Sequence, residues 1–135
     1  MQSVMVVEDD PTFARTVEAH LMRAGFEVEV ARDTIVALNM LEARSFDMFV
    51  VDLAMPSGKP SGLSFARMVR YQRPSSHIIF ITGYPELADV IAQLPGKVFT
   101  KPVDLDAVAV EIRSQLVGRS AEATSTSQSG EARPL

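Results

Sequence analysis

The 135-residue chain carries 13 Lys and Arg against 17 Asp and Glu, a net charge of −4, and its basic residues form no run, which argues against a nucleic-acid surface. It has no cysteine, so disulfides, zinc–thiolate sites and a cysteine nucleophile are ruled out, as befits a cytoplasmic protein. A hydrophobic fraction of 47% suits one compact domain, and no apolar run approaches the roughly 18 residues that span a bilayer.

In chain order, the hydrophobic pattern divides residues 1–117 into alternating strand-like and helix-like pieces. Val4, Met5, Val6 and Val7 form a continuous apolar run, the mark of a strand covered on both faces. An export signal would need a basic start and a longer apolar stretch. Phe13, Val17, Leu21 and Ala24 then recur at helical spacing, and Gly25 stops that helix. Val28 and Val30 alternate with Glu27 and Glu29, which predicts a more exposed strand. Asp33 is placed to cap a second helix that carries Ala37, Leu38 and Leu41 inward. A third strand over 48–51 runs into Asp52. It is followed by a helix at 63–71, a strand at 77–81, a helix at 86–94 and a short strand at 98–99. The last helix repeats Leu105, Val108, Ile112 and Leu116 at steps of three and four.

Five β-α repeats with short links call for an α/β fold: a parallel sheet with helices on both faces; in the strand order 2-1-3-4-5 the second strand is an outer one. Residues 1–117 form this domain. Residues 118–135 hold one large aliphatic residue, Leu135, and read as a disordered polar tail or as a linker truncated before an output domain.

In such sheets, ligand chemistry gathers beyond the carboxyl ends of the strands. Glu8, Asp9 and Asp10 follow the first strand, Asp52 the third, Thr82 the fourth, and Lys101 with Pro102 the fifth. Clustered carboxylates repel one another unless a cation joins them, and hard oxygen donors suit Mg²⁺. Asp9 and Asp52 are the expected direct side-chain ligands, with Glu8 holding a metal-bound water. Lys101 balances the remaining charge and pairs with an incoming phosphoryl group. A carboxylate can act as nucleophile in phosphoryl transfer, which assigns that role to Asp52, with Thr82 donating to the new phosphoryl oxygens. Asp10, before Pro11, reads as a helix cap. Taken singly, each of these residues has a plainer reading as a cap, a turn residue or a solvated lysine. His20 and His77 show no metal-ligand spacing and read as structural or surface residues.

The ordered set of Glu8 and Asp9, Asp52 with Pro56 four residues on, Thr82, and Lys101 with Pro102 resembles the receiver domain of bacterial response regulators across residues 3–117. The resemblance implies a flavodoxin-like (βα)₅ fold in a two-component or phosphorelay signalling protein. It implies that Asp52 takes its phosphoryl group from a histidine kinase or a histidine phosphotransfer protein. Mg²⁺ would then be held by Asp9, Asp52 and the backbone carbonyl of Ala54, and the Lys101–Pro102 peptide would often be cis. The implied molecule is a switch and not a turnover enzyme. Its output would pass by protein contact through the face of the fourth helix, fifth strand and last helix, with no nucleic-acid or membrane partner in this chain. Ala107, Val110 and Val117 form a second apolar stripe on the last helix, a candidate partner or homodimer surface.

Three features depart from the family pattern. Gly62 lies ten positions after Asp52, later than the family's usual glycine, so the intervening loop is longer. Thr82 and Lys101 lie closer in sequence than is usual, which shortens the region around 94–96. Val98 stands three residues before Lys101, where receivers often carry an aromatic whose rotation reports phosphorylation; Tyr84 is the nearest substitute. Other readings remain open at this point. A Mg²⁺-dependent phosphatase with an aspartyl-phosphate intermediate would want an acid where Ala54 stands. A receiver-like module that takes no phosphate is a second, and a flavin or nucleotide module, which would want a Gly-rich first loop, is a third.

Overall fold

The computed structural model describes residues 1–53, 61–84, 92–93 and 96–128, with 118–128 as backbone only. Along these residues run five strands: β1 (Ser3–Val7), β2 (Glu27–Ala31), β3 (Met48–Asp52), β4 (His77–Thr82) and β5 (Lys97–Thr100). The described helices are α1 (Pro11–Arg23), α2 (Thr34–Ala43), α3 (Gly62–Gln72) and α4 (Leu105–Gln128). The helix expected at 86–94 and the loop carrying Ala54 and Pro56 lie outside the described residues, apart from 92–93, so α4 here is the last helix of the sequence reading.

All pairings are parallel, as the repeat pattern predicts, and the strand order is β2-β1-β3-β4-β5, the order expected of the fold. Alternate residues of each strand face opposite sides, so a sheet covered twice needs continuous apolar strands. Met5 and Val7 of β1 join Phe49, Val51, Phe65 and Phe80 in one core cluster, which includes α2 and α3. Val4 and Val6 join Val17, Leu21, Val50, Ile79, Val108 and Ile112 in the other, which includes α1 and α4. β2 lies at the sheet edge. Its exposed Glu27 pairs with Arg44 at 3.3 Å, which places charge along an edge that would otherwise invite another strand.

Local signals set the helix ends. Asp10 caps α1 by accepting from the Thr12 and Phe13 amides, and Pro11 occupies the first turn. At the other end Gly25 adopts φ 101°, a conformation that a side chain disfavours. There the Gly25 amide donates to the Met22 carbonyl and the Phe26 amide to that of Leu21, which closes the helix. Asp33 caps α2 through the Val36 amide at 2.8 Å, as expected.

The α4 backbone runs on to Gln128, into the segment that the composition reads as a disordered polar tail or a truncated linker. A glycine inside a helix costs only about 1 kcal/mol relative to alanine. Ala121, Glu122 and Ala123 favour helix, and no proline intervenes before Pro134.

The chain leaves β1 for β2 on one side, while β3 lies on the other. β1 and β3 therefore lead to opposite sides of the sheet, and the topological switch point falls at the carboxyl ends of these two central strands, where a crevice forms in such sheets.

Candidate functional site

Each predicted site residue within the described structure stands at this crevice. β1 delivers Glu8 and Asp9 and β3 ends in Asp52; carboxylate oxygens of the three lie within 4.8 Å of one another. Glu8 is 2% exposed and Asp52 4%. From the turn after β5, Lys101 reaches in to place Nζ 3.5 Å from Asp52 Oδ2 and 3.6 Å from Glu8 Oε1. The Lys101–Pro102 peptide is cis. The Lys101 amide donates to the Thr82 carbonyl at 2.8 Å, which joins the ends of β4 and β5. Asp10 stands apart as the cap of α1, while its amide donates to Glu8 Oε2 at 3.1 Å.

Thr82 is fully buried at the end of β4, and its hydroxyl is engaged locally. It accepts from the Tyr84 amide at 2.9 Å and faces the Tyr84 carbonyl at 3.3 Å. Tyr84 itself is 52% exposed. Val98, at the position that an aromatic often holds, packs against the core cluster that contains Phe80.

The Gly62 backbone presses against the phosphoacceptor candidate. A Cβ built there would stand 2.0 Å from the Asp52 carbonyl oxygen, so no larger residue fits without displacing β3 or α3. Gly62, the first residue of α3, is thus the glycine that packs against the Asp52 backbone.

Too much negative charge is confined here for the carboxylates alone. Burial first, and the Asp52 charge second, raise the Glu8 carboxyl to about 8; the Asp10 amide and Lys101 offset this only in part. Three converging hard oxygen donors with surplus negative charge fit a small divalent cation such as Mg²⁺. Ala54, whose carbonyl completes the implied ligand set, lies outside the described residues.

Sequence reasoning missed one contact. The Phe13 ring, read as part of the buried stripe of α1, lies under the Lys101 ammonium with Nζ 4.6 Å from its centroid. Nothing in hydrophobic spacing separates such a ring from ordinary core.

Residues 4–113 match the response regulator receiver domain. The chain belongs to that family. This makes it a signalling module and not a turnover enzyme, and the acidic cluster at Glu8, Asp9 and Asp52 is typical of a receiver phosphoacceptor site. The phosphatase and flavin-module readings fall away. Among curated relatives, the receiver is 29% identical over 119 residues to response regulator ArlR of Staphylococcus epidermidis, covering 86% of this chain and 53% of ArlR. It is 31% identical over 114 residues to response regulator protein PmrA of Pseudomonas aeruginosa, covering 82% of this chain and 51% of PmrA. The chain thus spans about half the length of these relatives. Among solved structures, it resembles chemotaxis protein CheY4 of Vibrio cholerae with a TM-score of 0.75 and 26% identity, covering 84% of this chain and 98% of that one. The response regulator TrrA of Thermotoga maritima, solved in complex with Mg(2+)-BeF, shares the fold with a TM-score of 0.76 and 24% identity, covering 85% and 99%.

Proposed function

We propose that this receiver is a phosphorylation switch whose phosphoacceptor is Asp52, charged by the phosphohistidine of a histidine kinase or a histidine phosphotransfer protein. One observation carries the reading: Asp52 ends a central strand inside a carboxylate cluster, with an ammonium 3.5 Å from its Oδ2.

An Asp52 carboxylate oxygen attacks phosphorus as the P–N bond to the donor imidazole breaks, and that imidazole takes up a proton. An acyl phosphate results. Asp9, Asp52 and the Ala54 carbonyl would hold Mg²⁺, with Glu8 on a bound water; the cation would screen the carboxylates and the charge on the transferred group. Lys101 pairs with a phosphoryl oxygen. Thr82 turns its hydroxyl from Tyr84 to another, which frees the Tyr84 amide. Since Val98 offers no ring to rotate, this turn at the end of β4 carries the signal outward.

The output then passes to a downstream protein at the face that includes β5 and α4, where Val110 and Val117 are exposed. A second copy of the chain is a candidate for the same surface. The setting is the cytoplasm; among the described residues, no helix is long and apolar enough to cross a membrane. Acetyl phosphate with Mg²⁺ tests the charging step by intact mass. The wild type should gain one phosphoryl group and Asp52→Asn none; equal labelling of both would refute the assignment.

A further inference from the structure

We propose that Phe13 is a positioning residue for Lys101, its ring face holding the ammonium over the carboxylate cluster in readiness for the phosphoryl group. The inference rests on the phosphoacceptor reading of Asp52. Lysine carries its charge on a flexible four-carbon stem, so an ammonium that must meet a transferred phosphoryl group needs fixing from several sides. Two sides are supplied by Asp52 and Glu8, at 3.5 and 3.6 Å from Nζ. These distances exceed the roughly 2.8 Å of a tight charge-assisted hydrogen bond. The third side is the Phe13 ring, with its centroid 4.6 Å from Nζ. That lies well inside the reach of about 6 Å over which a ring face attracts a cation. The stem of Lys101 passes Gly83, where an added Cβ would only come into ordinary contact with Cδ at 3.7 Å.

The ring differs from the carboxylates in what happens during charging. Phosphorylation consumes one Asp52 oxygen, and a bound cation would draw on the same acidic cluster, so the pull of that cluster on Lys101 weakens when the ammonium is most needed. The ring's attraction depends on neither event. It also presents no oxygen acceptor to compete with the phosphoryl group. The placement follows from the sequence: Asp10 caps α1 directly after Glu8 and Asp9, with the Phe13 amide among its donors, so Phe13 stands in the first turn beside the cluster.

Replacing Phe13 in the full chain by mono-, di- and trifluorophenylalanine weakens the ring face step by step at nearly constant volume. The rate of labelling by acetyl phosphate with Mg²⁺ should fall stepwise, by a total of about 2- to 5-fold. Phe13→Leu should be slow as well and Phe13→Tyr close to wild type. In the unphosphorylated protein, the Lys101 Cε protons should show an upfield ring-current shift that Phe13→Leu abolishes. A flat rate across the fluorinated series, with the wild type labelled at Asp52, overturns the role of Phe13 alone. A wild type that takes no phosphoryl group, or takes it equally well as Asp52→Asn, overturns the phosphoacceptor reading and this inference with it.

Discussion

Burial and the neighbouring Asp52 charge hold the Glu8 carboxyl at about 8, so at neutral pH it keeps a proton that an exposed glutamate would have lost. The sign of the stability effect follows. Between the ordinary glutamate value near 4.5 and about 8, the native state binds more protons than the unfolded chain. The stabilisation is therefore full below about 4.5 and is lost as pH rises to about 8, at no more than about 1.4 kcal/mol per pH unit. Urea titrations in EDTA should show the midpoint falling across this window. Saturating Mg²⁺ should flatten the slope, since the cation takes over the charge compensation that the proton supplies. A midpoint that rises from pH 5 to pH 8 without metal would contradict this account of Glu8. Gly62 offers an independent test, because a Cβ there would overlap the Asp52 carbonyl. Gly62→Ala should cost about 1–3 kcal/mol with an unchanged denaturant slope, and should slow labelling by shifting Asp52. That Glu8, Asp9, Asp52, Thr82 and Lys101 would gather at one sheet edge was legible in the sequence because, although each alone has a plain structural reading, the ordered set falls at the carboxyl ends of four strands. Phe13 was not, because a ring on an amphipathic stripe looks the same whether it faces core or an ammonium.

At the level of elements, the proposed readout depends on the turn after β4. Its Thr82 hydroxyl holds the Tyr84 amide at 2.9 Å, while the Tyr84 ring stands half-exposed. Adding beryllofluoride with Mg²⁺, which mimics an acyl phosphate, should move the Tyr84 amide and ring resonances in the wild type and hardly move them in Thr82→Val. Unchanged Tyr84 signals in the wild type would remove this turn from the mechanism. The strands and their order were readable because β1 and β3 are apolar on both faces and the edge strand β2 alternates, a difference imposed by what covers each face. The C-terminal end of α4 was not readable. Composition reports whether a segment can build a core, whereas a helix already nucleated on Val108, Ile112 and Leu116 can run on through residues that bury nothing.

For the molecule as a whole, the doubly wound sheet places an acidic cluster, a hydroxyl and an ammonium at one edge. The chain spans about half the length of the relatives it matches, so the switch and whatever it controls are separable questions. The switch itself rests on a single bond. Borohydride reduces an acyl phosphate to an alcohol, turning a phosphorylated aspartate into homoserine. Mapping the peptides of the acetyl phosphate-treated chain after such reduction tests the account most directly. It should place homoserine at position 52 in the wild type and nowhere in Asp52→Asn; homoserine at position 9 or 10, the longer hydroxynorvaline at position 8, or no reduced residue at all would contradict it.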